Sequence, residues 1–260
     1  MSASKTKKIY FLAVFLLFVV NSRAMGNMVK GSAPMDLLEI DTIYSKAKNS
    51  FNTYIQSLYQ KANDSTLSFE PFKQGVIGYL NMLKRNEIKH DRYLTIIDFS
   101  KPSTEERLYI FDACAQELVF STVVAHGQNS GGLYATKFSN KDESHQSSIG
   151  FYVTTSTYTS KKYDLALRID GKEHTNNHAS SRGIVIHGAK YASYEYIHKY
   201  GRLGRSFGCP ALPYEYTKRV INMIKGGTCL YIYYPSSSYQ RYSKYLNRKD
   251  YLIDFIPLSV

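Results

Sequence analysis

Two residues of this sequence have neighbours that suit nucleophilic chemistry. Cys209 stands in GRSFGCPAL, residues 204–212, between a glycine and a proline. A glycine there lets another chain approach the sulfur closely. His187 ends the apolar run GIVIHG. A cysteine attacks a carbonyl as its thiolate, and a nearby imidazole can accept the thiol proton and stabilise the anion. The two residues therefore suit acyl transfer through sulfur.

Both residues also have an ordinary structural interpretation. A lone cysteine is commonly a small buried hydrophobe, and a histidine at a strand end is commonly held there by hydrogen bonds. The residue types alone leave this alternative open.

The other histidines give no pattern typical of a metal site. His174, His178 and His198 lie in polar segments without ligand spacing or a carboxylate partner, so a zinc hydrolase is only a minor alternative. The sequence contains no Cys-x-x-Cys pair and no glycine-rich phosphate loop. We therefore predict no metal and no cofactor. His126, in VVAHGQNSGG, has two open interpretations, a cleft residue or a turn histidine.

Composition indicates a folded protein with an anionic environment. The 260 residues are 43% hydrophobic and 21% charged, which is typical of a globular chain with a core. The net charge of +12 favours nucleic acid, a membrane surface or a cell-wall polymer as surroundings.

The first 24 residues have the pattern of a secretory signal peptide. Lysines precede the apolar run that ends at Val20, and SRA precedes Met25, where we expect the mature chain to begin. An uncleaved anchor is the alternative. No other segment is a candidate transmembrane helix. We therefore expect export to the periplasm or cell envelope, where nucleic acid is not a partner.

The odd number of cysteines matters in such a compartment. With three cysteines, at least one has no partner within the chain. Cys114 and Cys229 lie in strand-like patterns, so we expect both to be buried. Whether they bridge each other is left open.

Periodicity predicts helices first and strands afterwards. Apolar residues recur at helical spacing over residues 36–62 and again from Ser68, and a short helix is predicted over residues 213–225. Short β-branched and aromatic runs predict the strands, namely residues 93–99, 107–113, 117–126, 149–158, 163–170, 183–189 and 228–234. This order predicts segregated helical and β layers.

The segment IVIHGAKY…GRSFGCPAL resembles the active-site segment of the L,D-transpeptidase family, whose mark is a histidine followed by a Ser-x-Gly-Cys turn. It is most similar to the branch in which Pro-Ala-Leu follows the cysteine. The upstream pieces VVAHGQNSGG, SSIGFYVT and LALRIDG are also similar, so the resemblance covers residues 92–234. One difference is Ala211, which stands where many members carry an arginine.

The resemblance implies a role for each site residue. Cys209 is the expected nucleophile, His187 the base, and the carbonyl of Gly188 the group that orients the imidazole. Ser206 and Gly208 are expected to form the oxyanion side of the turn. Without the usual arginine, the substrate-binding candidates are Arg205, Arg168, Arg182 and His126.

The resemblance also implies the fold and the division into domains. We expect a mainly β, L,D-transpeptidase-like β-sandwich domain preceded by a small α-helical segment. The predicted parts are a signal peptide over residues 1–24, a helical segment over 25–90, the catalytic domain over 91–234 and a basic, tyrosine-rich C-terminal tail over 235–260. The tail is expected either to cover the domain or to touch glycan or anionic lipid.

The expected substrate is the tetrapeptide stem of peptidoglycan, with an acceptor amine that the sequence does not identify. Hydrolysis of the same bond, as in an L,D-carboxypeptidase, shares the acyl-enzyme and remains an alternative. A wall-binding module with an inactive site is the alternative from another class. The intact pair of Cys209 and His187 argues against it, because nothing structural requires both.

Overall fold

The structure is a computed structural model that describes residues 37–62, 66–161 and 163–256. The predicted signal peptide lies outside these residues. The described residues divide into two compact units, one within residues 56–250 and one made of residues 37–55 together with 251–256. In the described part of the smaller unit, the Phe51 ring packs edge-on against Tyr251 and Phe255, with centroids 4.7 and 5.2 Å away.

Five α-helices and eight β-strands make up the regular structure of the described residues. The helices are α1 Leu37–Ala62, α2 Phe69–Lys84, α3 Tyr194–Tyr200, α4 Tyr214–Ile224 and α5 Ser237–Tyr242. The strands are β1 Tyr93–Asp98, β2 Leu108–Asp112, β3 Glu117–Thr122, β4 Gly150–Tyr158, β5 Ala166–Gly171, β6 Val185–Gly188, β7 Ala211–Leu212 and β8 Cys229–Tyr233. Short 3-10 helices cover Lys190–Ala192 and Asp250–Phe255.

All eight strands belong to one sheet, in the order β3-β2-β1-β8-β4-β5-β6-β7. Neighbours are antiparallel, except that β1 with β8 and β6 with β7 are parallel. The residues after β3 then reach β7, because the N–H of Ala125 donates to the carbonyl of Ala211 at 2.8 Å. This bridge joins the two ends of the strand order, so the sheet nearly closes into a barrel.

The central strands are buried on both faces. Every residue of β2 and β8 is buried, which explains their continuous apolar and aromatic sequences. Helix α2 packs on this region: its Phe72 ring lies 5.2 Å from Phe111, and its Gln74 accepts a hydrogen bond of 2.7 Å from the hydroxyl of Tyr231. The sheet therefore provides a rigid support for the loops at its edge.

Residues 235–250, in the predicted tail, belong to the larger unit and pack on the rest of it. The hydroxyls of Tyr239 and Ser243 donate to the buried carboxylate of Glu173, at 2.7 and 2.5 Å. The Tyr245 ring is fully buried and lies 5.4 Å from Phe151. This part of the chain covers the domain, because Tyr245 packs against Phe151 of β4 and Tyr239 bonds the buried Glu173. Composition alone did not show helix α5.

Candidate active site

The turn around Cys209 is held by Ser206. The Ser206 hydroxyl accepts the N–H of Gly208 at 3.0 Å and donates to the carbonyl of Cys209 at 2.6 Å. Gly208 has φ of +123°, which a residue with a side chain rarely adopts. The sequence Ser-x-Gly-Cys therefore encodes a tight turn in which serine supplies the hydrogen bonds and glycine the backbone conformation.

The sheet register places His187 next to this turn. In the parallel pair β6–β7, His187 is the partner of Ala211, two residues after Cys209. The His187 Nδ1 lies 2.9 Å from the carbonyl oxygen of Gly188. A carbonyl can only accept, so Nδ1 carries a proton, and in the neutral ring Nε2 then carries the lone pair. The ring is thereby fixed in the tautomer that a general base requires.

The sulfur of Cys209 lies against the backbone just before His187. The N–H of Val185 donates to Sγ at 3.4 Å, and the carbonyl of Gly183 lies 3.8 Å from it. Only 7% of Cys209 and 5% of His187 is exposed to solvent. An N–H directed at sulfur stabilises a thiolate, because the anion is the better acceptor.

A cleft of about 580 Å³ contains both residues. Its walls are mainly aromatic and basic. The Tyr163 ring lies 4.3 Å from the His187 ring, and Phe207 at the rim stacks on His145 at 4.5 Å. Burial raises the pKa of Tyr191, so this phenol stays protonated in the cleft. The lining residues that the sequence analysis missed include Tyr163, Tyr191, Tyr214, Phe207, His145 and Lys190.

Two of the three predicted arginines reach the cleft. Arg182 and Arg205 line it, together with Lys190 and a single carboxylate, Glu143. The guanidinium of Arg182 donates to the carbonyls of Ser139 and Gln146, at 2.8 and 2.6 Å, and partial burial lowers its pKa. Arg205 is exposed and donates to the carbonyl of Gly131 at 3.1 Å.

Arg168 and His126 do not line the cleft. Arg168 is exposed on β5, with its guanidinium 4.2 Å from the Tyr158 ring. His126 is fully buried, and its Nδ1 lies 2.8 Å from the Arg107 guanidinium. Burial, and then the charge of Arg107, lowers the pKa of His126 to about 3. The backbone of His126 does support the site, because its carbonyl accepts the N–H of Ser206 at 2.9 Å.

The other two cysteines have different surroundings. Cys229 is fully buried, its Sγ lies 3.6 Å from the sulfur of Met82, and burial raises its pKa. Cys114 is exposed, so the prediction that it is buried is wrong. It lies in the turn between β2 and β3, where the Asp112 carboxylate accepts its N–H at 2.9 Å. No disulfide joins any of the three cysteines, all of which the structure describes.

Two further findings concern the described residues as a whole. Across residues 37–62, 66–161 and 163–256, no three histidine, cysteine or acidic side chains are grouped as a metal ion would require. In the same ranges no helix has the length and apolar character needed to cross a membrane.

Residues 63–233 match a family model described as the L,D-transpeptidase catalytic domain. The match covers more than half of the chain, so the protein belongs to the L,D-transpeptidase catalytic-domain family. The expected family and the expected mainly β fold with a helical lead-in are both confirmed. A search of curated protein sequences gave no match.

Several solved structures are similar to this chain. They include L,D-transpeptidases from Mycobacterium smegmatis, Mycobacterium tuberculosis and Xylanimonas cellulosilytica, with identities of 12%, 17% and 13% and TM-scores of 0.36, 0.33 and 0.32. The similarity covers 55%, 55% and 54% of this chain and 59%, 58% and 60% of those chains. This chain therefore spans about three fifths of each, and the family assignment depends on the family model.

Proposed function

We propose that the protein is an exported cysteine acyltransferase that acts on the stem peptides of peptidoglycan. The observation that carries this proposal is that Cys209 and His187 line one cleft, with the imidazole fixed by the carbonyl of Gly188. Family membership supplies the substrate class, and the cleft supplies a nucleophile and a base in a suitable tautomer.

In the first half of the reaction, His187 Nε2 accepts the thiol proton of Cys209. The thiolate attacks the carbonyl of the L-centre residue in a tetrapeptide stem, forming a C–S bond. The C–N bond to the terminal D-residue then breaks, and the imidazolium returns its proton to the leaving amine. The product is a thioester on Cys209 and a free D-amino acid.

The second half of the reaction resolves the thioester. An acceptor amine, deprotonated by His187, attacks the thioester carbonyl, and the C–S bond breaks to regenerate the thiolate. The product is then a cross-link between two stems. Water in place of the amine gives a tripeptide stem with a free carboxylate, which is the carboxypeptidase outcome.

The oxyanion that forms in both steps needs a donor. The N–H of Gly208 and the hydroxyl of Ser206 bond each other within the turn. We therefore assign these two residues to shaping the turn and propose the backbone N–H of Cys209 as the oxyanion donor.

Arg205 is our proposed contact for a substrate carboxylate. It lines the cleft and is exposed. Its Nη1 donates to the carbonyls of Gln128 and Gly131, whereas Nη1 and Nη2 of Arg182 both donate to carbonyls, those of Ser139 and Gln146. A guanidinium can bind a carboxylate through two parallel hydrogen bonds. Arg205 would thus replace the arginine that other members carry at the position of Ala211.

Export is the remaining part of the proposal. Residues 1–24 have the signal-peptide pattern, and the polymer that carries the substrate lies outside the cytoplasmic membrane. N-terminal sequencing of the protein recovered from the cell envelope should give Met25 as the first residue. A chain that keeps Met1 in the cytosol would contradict export.

The activity is tested by incubating the purified protein with tetrapeptide-stem muropeptides and reading the products by mass. Cross-linked dimers with released D-amino acid indicate transfer, and tripeptide stems alone indicate hydrolysis. Cys209→Ala should abolish both products, while Cys229→Ala, at a buried position outside the cleft, should retain them. Unchanged substrate with folded wild-type protein would refute the proposal.

A further inference from the structure

A second groove, of about 500 Å³, lies beside the cleft of Cys209. Ala189, Lys190 and Tyr214 line both the cleft and the groove. The rest of the groove is formed by helix α3 and the first residues of α4. The groove is therefore a continuation of the cleft along the protein surface.

Tyrosine rings dominate the wall of this groove. Tyr196 and Tyr200 are four residues apart on α3, so they share one helix face, and their ring centroids are 4.3 Å apart. Tyr200 is 53% exposed and Tyr214 is 47% exposed. Exposed aromatic groups gathered in one place mark a binding surface, and tyrosine offers both an apolar ring and a hydroxyl.

The charges of the groove are balanced. Its lining includes two positively charged residues, Lys190 and Lys199, and two negatively charged residues, Glu195 and Glu215. A polyanion would meet two carboxylates there, and a polycation would meet two ammonium groups. A neutral ligand with many hydroxyl groups suits the groove better, because each charged group can hydrogen-bond a hydroxyl.

We propose that this groove binds the glycan strand of peptidoglycan, so that the enzyme recognises a stem together with its sugar. Sugar rings present apolar C–H faces to aromatic rings and hydroxyls at their edges, which matches the wall described above. This inference rests on the proposed function. The sugar is attached to the stem, so a stem that enters the cleft leaves the glycan beside it. The groove adjoins the cleft through Ala189, Lys190 and Tyr214, which line both.

The test compares two substrates of the full protein: a disaccharide-linked tetrapeptide and the same tetrapeptide without sugar. The wild type should have the lower KM for the sugar-linked substrate. The variant Tyr196→Ala/Tyr200→Ala should raise that KM about five- to tenfold, the effect of losing aromatic contacts, and leave the KM of the sugar-free peptide unchanged. Tyr242→Ala, which removes a 64% exposed tyrosine elsewhere, is the matched control and should change neither KM.

A direct measurement separates this inference from the proposed activity. Glycan strands stripped of their peptides should bind the wild type and Cys209→Ala equally, and should bind the double tyrosine variant about five- to tenfold more weakly. Equal KM values for the two substrates in the wild type, or an equal rise for both in the variant, would overturn the glycan site. Glycan binding without turnover of either substrate would support the groove and refute the proposed activity.

Discussion

Two histidines of this protein have almost the same local sequence but occupy different environments. IVIHG places His187 in the cleft, whereas VVAHG places His126 in the fully buried interior. The Nδ1 of His187 donates to a carbonyl, and the Nδ1 of His126 accepts from the Arg107 guanidinium. The two rings therefore hold opposite tautomers. A strand that ends in His-Gly does not by itself define a base, because the partner of the ring decides what the ring can do.

The largest expected difference between the two histidines is in activity. His187→Ala should lower the acylation rate about 10²–10⁴-fold, because it removes the proposed general base. His126→Gln should cost far less, since its side chain does not line the cleft. Single-turnover thioester formation, followed by intact-protein mass, measures both. The reverse order of the two losses would move the base to His126.

The surroundings of His126 should matter for the stability of the protein more than for its activity. The buried guanidinium of Arg107 donates to the carbonyls of Val124 and Lys101, at 2.6 and 2.9 Å, beside His126. Arg107→Met leaves these carbonyls without a donor, so the free energy of unfolding should fall by about 3 kcal/mol. Urea denaturation measures this change. Arg168→Met, at an exposed arginine, is the matched control and should change stability by less than about 0.5 kcal/mol.

The glycines that follow the two histidines, Gly127 and Gly188, also differ in their surroundings. A Cβ on Gly127 would lie 2.5 Å from the backbone oxygen of His145, and one on Gly188 would lie 2.6 Å from the Thr217 hydroxyl and 2.7 Å from the Tyr214 ring, both side-chain groups. A backbone cannot yield as a side chain can, so Gly127→Ala should destabilise the fold by about 2 kcal/mol and Gly188→Ala by less.

Gly188→Ala should instead reduce turnover, because the displaced Tyr214 ring lines the cleft. Thermal denaturation and muropeptide turnover of both variants decide this. A larger loss of stability in Gly188→Ala would contradict the packing described here.

The dependence of stability on pH should also depend on His126. The pKa of His126 is about 3 in the folded protein and about 6.5 in an unfolded chain. Between these values the unfolded state binds more protons, so His126 makes stability fall as the pH drops from about 6.5 towards 3, by up to about 1.4 kcal/mol per pH unit. His126→Gln should remove this part of the slope in unfolding measured from pH 7 to 4. An unchanged slope would mean that His126 is not buried in its neutral form.

Local pattern predicted most of the regular structure. The runs from Tyr93 and Leu108 became β1 and β2, and the helical spacing of residues 36–62 became α1. Helix α1 is identified by apolar residues that recur at helical spacing, and β1 and β2 by short runs of β-branched and aromatic residues, which are buried almost throughout. Helices α3 and α5 escaped prediction, because both are short and rich in tyrosine, so neither shows a clear apolar stripe.

The sequence by itself determined the turn around Cys209, since Ser206 and Gly208 act within four residues of chain. It also determined the family, through motifs that lie on both sides of the site. Only the tertiary structure decided that His126 lies outside the cleft, which arginines line it and that Cys114 is exposed. The positions of the two histidines depend on the parallel register of β6 with β7 and on the bridge from Ala125 to Ala211. Such pairings join residues far apart in the chain, and no local pattern encodes the side from which a distant strand will arrive.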